Sequence, residues 1–449
     1  MSGRGSLLKV LGVGFGLAVA VGNTVGAGIL RTPGDVAGWL PNPWAFVGIW
    51  LIGGLYALLG ANALAELGTM MPRSGAQYVF ARHTFGDYAG FLVGWIDWIS
   101  TNASIAAIAI VLGESVSALL GRSASFAAPI AMASVVVFTL LLLAGTKMGD
   151  RAQQITSLAK ALALLILVAA CFVYGGGATA PPPSAATSHV SVSVFAGFVL
   201  SAQAVIYAYD GWTGPIYFSE ELDDPARQIP QAMFGSLLCI AAIYILINLA
   251  FVRVVPTSSL TGSPLAAATV AKAIFGGGGE TIVRVIVVIA MPSALNALLL
   301  MGSRVLFAVS RDGLGASAAS RVNAGGTPTV ALVASAMVAL TFLATGTWGT
   351  VIAIAAFFFV ANYTLSFLAV FVLRRREPDR PRPYRAKGHP WTTGLVLVGS
   401  LCFLGSAIRS DTKNSLYALG ILVLSYPIFI LTRRRLTTGP VAPGYVSNE

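Results

Sequence analysis

Charge is the scarcest property of this chain. Of 449 residues only 10% are Asp, Glu, Lys or Arg, and the acids number 17. An average soluble domain carries about 25% charged residues. So few charges cannot cover a water-exposed surface of this size, which argues against a soluble enzyme and a disordered chain. Cysteine is nearly as sparse. Cys171, Cys239 and Cys402 all sit in apolar segments. None lies in an expected external loop, so neither a disulfide scaffold nor a disulfide-linked heavy subunit is expected. The three histidines form no His-Glu-x-x-His pattern, against a membrane zinc enzyme. His83 and His189 read as loop residues, and His389 belongs to a long polar segment. No metal, no other cofactor and no catalytic residue is expected.

What is abundant is apolar surface, 56% of the chain. A membrane-spanning helix needs about 20 apolar residues. Twelve apolar segments run at roughly 9–32, 43–68, 88–112, 127–145, 154–174, 194–218, 231–254, 281–309, 327–345, 348–373, 392–409 and 414–432. Backbone in hydrocarbon must satisfy its own hydrogen bonds, so each is read as a helix. Turn chemistry separates them at Pro41-Asn42-Pro43, Gly175 to Gly177, Pro181 to Pro183 and Gly276 to Gly279. The longest polar stretch, 374–391, is too short to fold alone. The expected fold class is an all-α integral membrane protein of 12 transmembrane helices. It forms one transmembrane domain over 1–432, with a tail at 433–449.

The basic excess of +11 has a topological reading. With the N-terminus inside, 20 Lys and Arg residues fall on the inner side and seven on the outer. That is the positive-inside bias, with both termini in the cytoplasm and the chain in the plasma (cell inner) membrane. The basic run 374–387 reads as a cytoplasmic loop near lipid head groups, and no nucleic-acid partner is expected.

Two segments carry the functional signal. The first span holds Gly22-Asn23-Thr24-Val25-Gly26-Ala27-Gly28, and the sixth holds Tyr207-Ala208-Tyr209-Asp210-Gly211-Trp212. Glycine clusters also serve plain helix packing. Here, however, helix-weakening glycine is combined with polar residues in mid-span, in segments five helices apart. A five-helix repeat returns inverted, and inverted repeats with two broken helices are a transporter architecture. A broken helix offers N–H groups to a carboxylate and carbonyls to an ammonium group. The pattern suits an amino acid or similar small ion.

The sequence resembles the amino acid–polyamine–organocation superfamily, and within it the L-type amino acid transporter branch and its bacterial homologues. The likeness rests on Gly26-Ala27-Gly28-Ile29, Glu66-Leu67-Gly68-Thr69 with Pro72-Arg73-Ser74-Gly75, and Tyr207 to Trp212 with Glu220-Glu221, Asp224-Pro225 and Ile229-Pro230. It extends to Asn296, Ser303-Arg304, Arg311-Asp312-Gly313 and Arg382-Pro383-Tyr384-Arg385. The resemblance implies a leucine-transporter-like fold with 5+5 inverted repeats, helices 1–5 at about 9–174 and helices 6–10 at about 194–373. Helices 1 and 6 would be broken, helices 11–12 would fill about 392–432, and alternating access would follow.

The resemblance also implies residue roles. Gly26, Ala27 and Gly28 would hold the substrate carboxylate, with Ala27 lacking the hydroxyl of the family's usual serine. Carbonyls near Tyr207, Ala208 and Tyr209 would take the amino group, with Tyr207 as an aromatic gate. Asn296 would face the site, and Asn23 would contact the carboxylate side. Lys160, a charge inside the fifth span, would occupy the place of a sodium ion, making transport sodium-independent. Asp210 would either pair with a cationic side chain or organise the break. Asp97 is read as a polar pairing or a proton site, and Glu66 as an inner-gate or structural acid. Glu220, Glu221, Asp223 and Asp224 would pair with loop arginines. The function expected is sodium-independent transport of α-amino acids, neutral and also cationic, as exchanger or proton-coupled permease. Polyamine transport and a non-transporting sensor are the alternatives.

Overall fold

A computed structural model of the chain describes residues 20, 21, 24, 26–73, 75–143, 150–175, 193–217, 219, 222–323 and 327–437. Side chains are described except at 150–161 and 433–437. Asn23 lies outside the described residues, as do Glu220 and Glu221.

The described residues are helical almost throughout. The helices are α1 (Ala27–Trp39), α2 (Pro43–Met70), α3 (Gln77–Phe85), α4 (Asp87–Leu119), α5 (Ala127–Leu143), α6 (Asp150–Tyr174), α7 (Val194–Tyr209) and α8 (Gly214–Tyr217). They continue as α9 (Pro225–Val254), α10 (Thr257–Leu260), α11 (Ala266–Phe275), α12 (Gly277–Arg311), α13 (Thr329–Thr345), α14 (Trp348–Arg376), α15 (Trp391–Ser410) and α16 (Thr412–Thr437). Eight of the expected spans are long and apolar enough to cross a membrane, among the described residues. Their outer faces carry exposed Leu51, Leu140, Ile289, Leu395 and Val423, as lipid contact requires.

Local chemistry sets the ends. Asn42 caps α2 by accepting from the N–H groups of Trp44 and Ala45, and Pro43 needs no acceptor at N1. Asp224 caps α9 in the same way, just before Pro225. Its carboxylate therefore holds a helix end rather than the loop arginine expected for it. Gly276 starts α12 with φ +66°, a conformation glycine takes without strain. The helix begins at once at Gly277, so the expected glycine-rich turn is shorter than 276–279.

Two further expectations need correction. His83 is not in a loop but on α3. The third span continues past 112 to Leu119, so Glu114 is helical. The run 374–387 leaves α14 at Arg376 and continues as a loop, as expected, and that loop is folded as a cap on α2. Arg374 grips Glu66 with Nε and Nη2 at 2.9 and 2.6 Å, and the Ala386 N–H donates to the same carboxylate at 2.7 Å. Arg382 donates to the carbonyls of Leu373 and Glu377, and the Tyr384 hydroxyl to Asn62 at 2.7 Å. Arg375, Arg385 and Lys387 stay exposed.

Packing positions the site. α1 lies along α7, α9 along α2, and α12 against α4, while α14 packs on α4 and α7. The two glycine-bearing segments thus run side by side between α4, α9 and α14.

Candidate functional site

The sixth span is broken as its sequence predicts. α7 ends at Tyr209. Asp210 is extended (φ −61°, ψ 149°), and Gly211 has φ +116°. An L side chain at Gly211 would be strained. The helix resumes only at Gly214. In the first span, Gly26 is the N-cap of α1, without a side-chain cap. The N–H groups of Ala27 and Gly28 therefore have no intrahelical acceptor.

The two breaks meet. A Cβ on Gly28 would stand 2.7 Å from the Ala208 Cα, so only glycine lets the backbones approach this closely. Tyr244 of α9, 0% exposed, joins them. Its hydroxyl is 2.7 Å from the Thr24 carbonyl and 2.8 Å from that of Ala208. One hydroxyl proton is shared between two acceptors. Sequence reasoning missed Tyr244, although a buried tyrosine in an apolar run signals a hydroxyl in need of a partner.

Beyond the break lies a polar cavity of about 20 Å³ between α3, α4, α8, α12 and α14. Asp97, Asp210, Thr101, Thr213, Gln77 and Asn362 line it. The Tyr217 hydroxyl is 2.8 Å from both Asp97 oxygens, which makes the polar pairing expected of Asp97. Asp210 accepts from the Tyr363 hydroxyl and from the Gly211 N–H, so in this structure its partners are those of a residue organising the break.

Above the break the chain builds a latch. Tyr207 meets Trp348, the first residue of α14, edge to face at 5.7 Å. The Arg31 guanidinium lies 4.5 Å over the same indole, whose Nε1 donates to Asp35 at 2.9 Å. Arg31 also pairs with Glu114 of α4. Arg31 is thus a helical residue spent on a cross-helix network. Nothing local in the sequence links it to a partner 83 residues away.

Two other expected residues stand apart. Asn296 is buried on α12, but it lines neither the polar cavity nor the apolar crevice at Gly26. Lys160 lies on α6, with its side chain outside the described residues. It is one turn before Leu164, which lines that crevice together with Gly26, Leu167 and Met291.

Apolar spanning helices around two interrupted segments define a multi-pass membrane transporter. The amino acid permease family matches over residues 7–426, and the chain belongs to it. The chain is 29% identical to the serine/threonine exchanger SteT of Bacillus subtilis, over 96% of this chain and 98% of that one. It is 26% identical to the mouse b(0,+)-type amino acid transporter 1, over 94% and 88%. Against the human large neutral amino acids transporter small subunit 2 it is 28% identical, over 85% and 72%. These relatives are amino acid transporters and exchangers, not enzymes.

Proposed function

We propose that the chain moves α-amino acids across the membrane by sodium-independent alternating access, through twelve helices with a 5+5 inverted repeat. The observation that carries this reading is the meeting of Gly28 and Ala208 at the first turn of α1, whose N–H groups have no intrahelical acceptor. A carboxylate suits those N–H groups and the positive helix end. Gly26, Ala27 and Gly28 hold it through backbone alone, with Asn23 beside them. The amino group goes to carbonyls of Tyr207, Ala208 and Tyr209. Each carbonyl has a second lone pair, so the Ala208 oxygen accepts a substrate proton even beside Tyr244. Tyr207 closes over the substrate as part of the Trp348 latch, and Asn296, apart from both cavities in this structure, joins the site only as the helices move.

Lys160 supplies the charge that sodium supplies elsewhere, which its place one turn from the Gly26 crevice favours. Substrates are neutral and, through Asp210, cationic amino acids. The relatives named for serine/threonine and for large neutral substrates support the neutral class. The transporter occupies 1–432 as one domain, with a tail at 433–449. It sits in the plasma membrane with both termini inside, as the distribution of Lys and Arg favours. It works without a disulfide-linked partner, because none of its three cysteines lies in an expected external loop.

A thermal-shift screen of the purified chain over all amino acids and common diamines tests this. Stabilisation by at least one α-amino acid is expected. Stabilisation by diamines alone contradicts the reading.

A further inference from the structure

Asp97 and Asp210 face one cavity, and each lies within electrostatic reach of the other. Among the described residues neither has a cationic partner. Among the described residues lining the cavity there is no Lys, Arg or His. The titratable groups that face the acids are Tyr217 of α8 and Tyr363 of α14, with Tyr56 of α2 and Tyr207 of α7 behind them. Each tyrosine offers one neutral hydroxyl. An uncompensated carboxylate in a span is costly and calls for a partner or a proton. A second of the same sign adds repulsion. Tyrosine hydroxyls do not neutralise either charge, whereas one proton on either carboxyl removes one of them and with it the repulsion.

A second observation points into the same space. Gln77 Nε2 and Asn362 Oδ1 have no partner, although their residues are 2% and 1% exposed, and both residues line the cavity. A buried polar atom without a partner is rare. The cavity volume of about 20 Å³ is enough for one water. Such a water accepts from Gln77 Nε2 and donates to Asn362 Oδ1. Its other hydrogen and lone pair are left for the carboxyls.

We propose that Asp97, Asp210 and the cavity between them form a proton-binding site whose loading is linked to the 210–213 break. A proton enters from bulk water when Asp210 is wetted. It sits on one carboxyl oxygen, passes through the cavity water to the other, and leaves to bulk water on the opposite side. No electron moves and no other bond is made. The link to the break is direct. Asp210 is its first residue, and Asp97 holds Tyr217, the last residue of α8 beyond it. In its coupling role the site rests on the transporter reading, and it makes the protein a proton-coupled permease rather than a strict exchanger.

Infrared difference spectroscopy on the full chain in lipid tests the site without any substrate. At neutral pH, wild type minus Asp97→Asn and wild type minus Asp210→Asn should both contain a carboxylic-acid carbonyl band. The double variant should lose the whole of the signal the pair contributes. Asp97→Glu should keep the band at a shifted frequency, which separates loss of the proton from loss of the fold. Amide exchange over 210–217 should rise with pH beyond the intrinsic chemical dependence in wild type, and lose that rise in Asp97→Asn. Difference spectra with only ionised-carboxylate bands overturn the proposal, as do carboxylate bands that move on addition of NaCl, which would assign a metal cation. A persisting acid band with no amino acid hit in the thermal screen would overturn transport and leave the proton site standing.

Discussion

The Tyr244 hydroxyl lies 2.8 Å from the Ala208 carbonyl, and the same oxygen is 2.7 Å from the Thr24 carbonyl. One side chain of α9 thus ties both broken segments together at the depth where substrate is proposed to bind. Tyr244→Phe removes the proton and leaves both carbonyls without it. An unsatisfied buried polar group costs about 1–3 kcal/mol. The variant should lose stability of that order in thermal unfolding, and amide exchange should rise in α7 around Ala208. Wild-type protection there would show that the contact is incidental.

Gly28→Ala tests the close approach itself. The added Cβ would meet backbone, the Ala208 Cα at 2.7 Å, and backbone cannot rotate away. Overpacking of this kind costs about 1–3 kcal/mol. The variant should still insert but lose most uptake in proteoliposomes, whereas Gly26→Ala, with open space around its Cβ, should be milder.

On the other face, Glu66 is 1% exposed and held by Arg374 and the Ala386 N–H. Removing one partner of a buried ion pair costs about 3–5 kcal/mol. Arg374 keeps some solvent access, but Arg382, 3.2 Å from Glu66, is only 3% exposed, so Glu66→Gln is expected within that range. Thermal unfolding, with proteolysis of 374–387, reads it. Unchanged cleavage would mean the cap does not depend on Glu66.

Glu377 lies in this same cap. Burial would raise its carboxyl, but bonds from Arg380 and His83 outweigh that and hold it below the usual glutamate range. A carboxyl depressed by folding contributes stability above its unfolded value, about 4.3. That stability is lost as pH falls through the lower folded value. Protection of 377–387 against hydrogen exchange should therefore persist through mild acid and fail only below the ordinary glutamate range. Early loss, near neutral pH, would contradict the assignment.

Much of this was legible in the chain because its signals are local. Asp210-Gly211 in mid-span announces a break, since Gly211 takes a positive φ and Asp210 an extended conformation. Asn42-Pro43 and Asp224-Pro225 mark helix starts by capping chemistry. α3 and α11 were missed because they are short helices beside longer apolar runs, with no span-length signal. The Arg31–Glu114–Trp348–Asp35 latch and the Tyr244 tie were missed for a different reason. Their partners come from separate helices and meet only after packing, so no spacing encodes them. Glu66 read correctly as a structural or gate acid, but its partners, Arg374 and the Ala386 N–H, needed the fold.

Counterflow in sodium-free proteoliposomes tests the central claim most directly. Vesicles loaded with an unlabelled mixture of the common amino acids are given each labelled amino acid in turn. Transient accumulation of at least one label above equilibrium is expected, and its loss in Lys160→Ala, with the protein still inserted, supports the role given to that lysine. No accumulation of any α-amino acid, or accumulation only when sodium is added, would contradict the account.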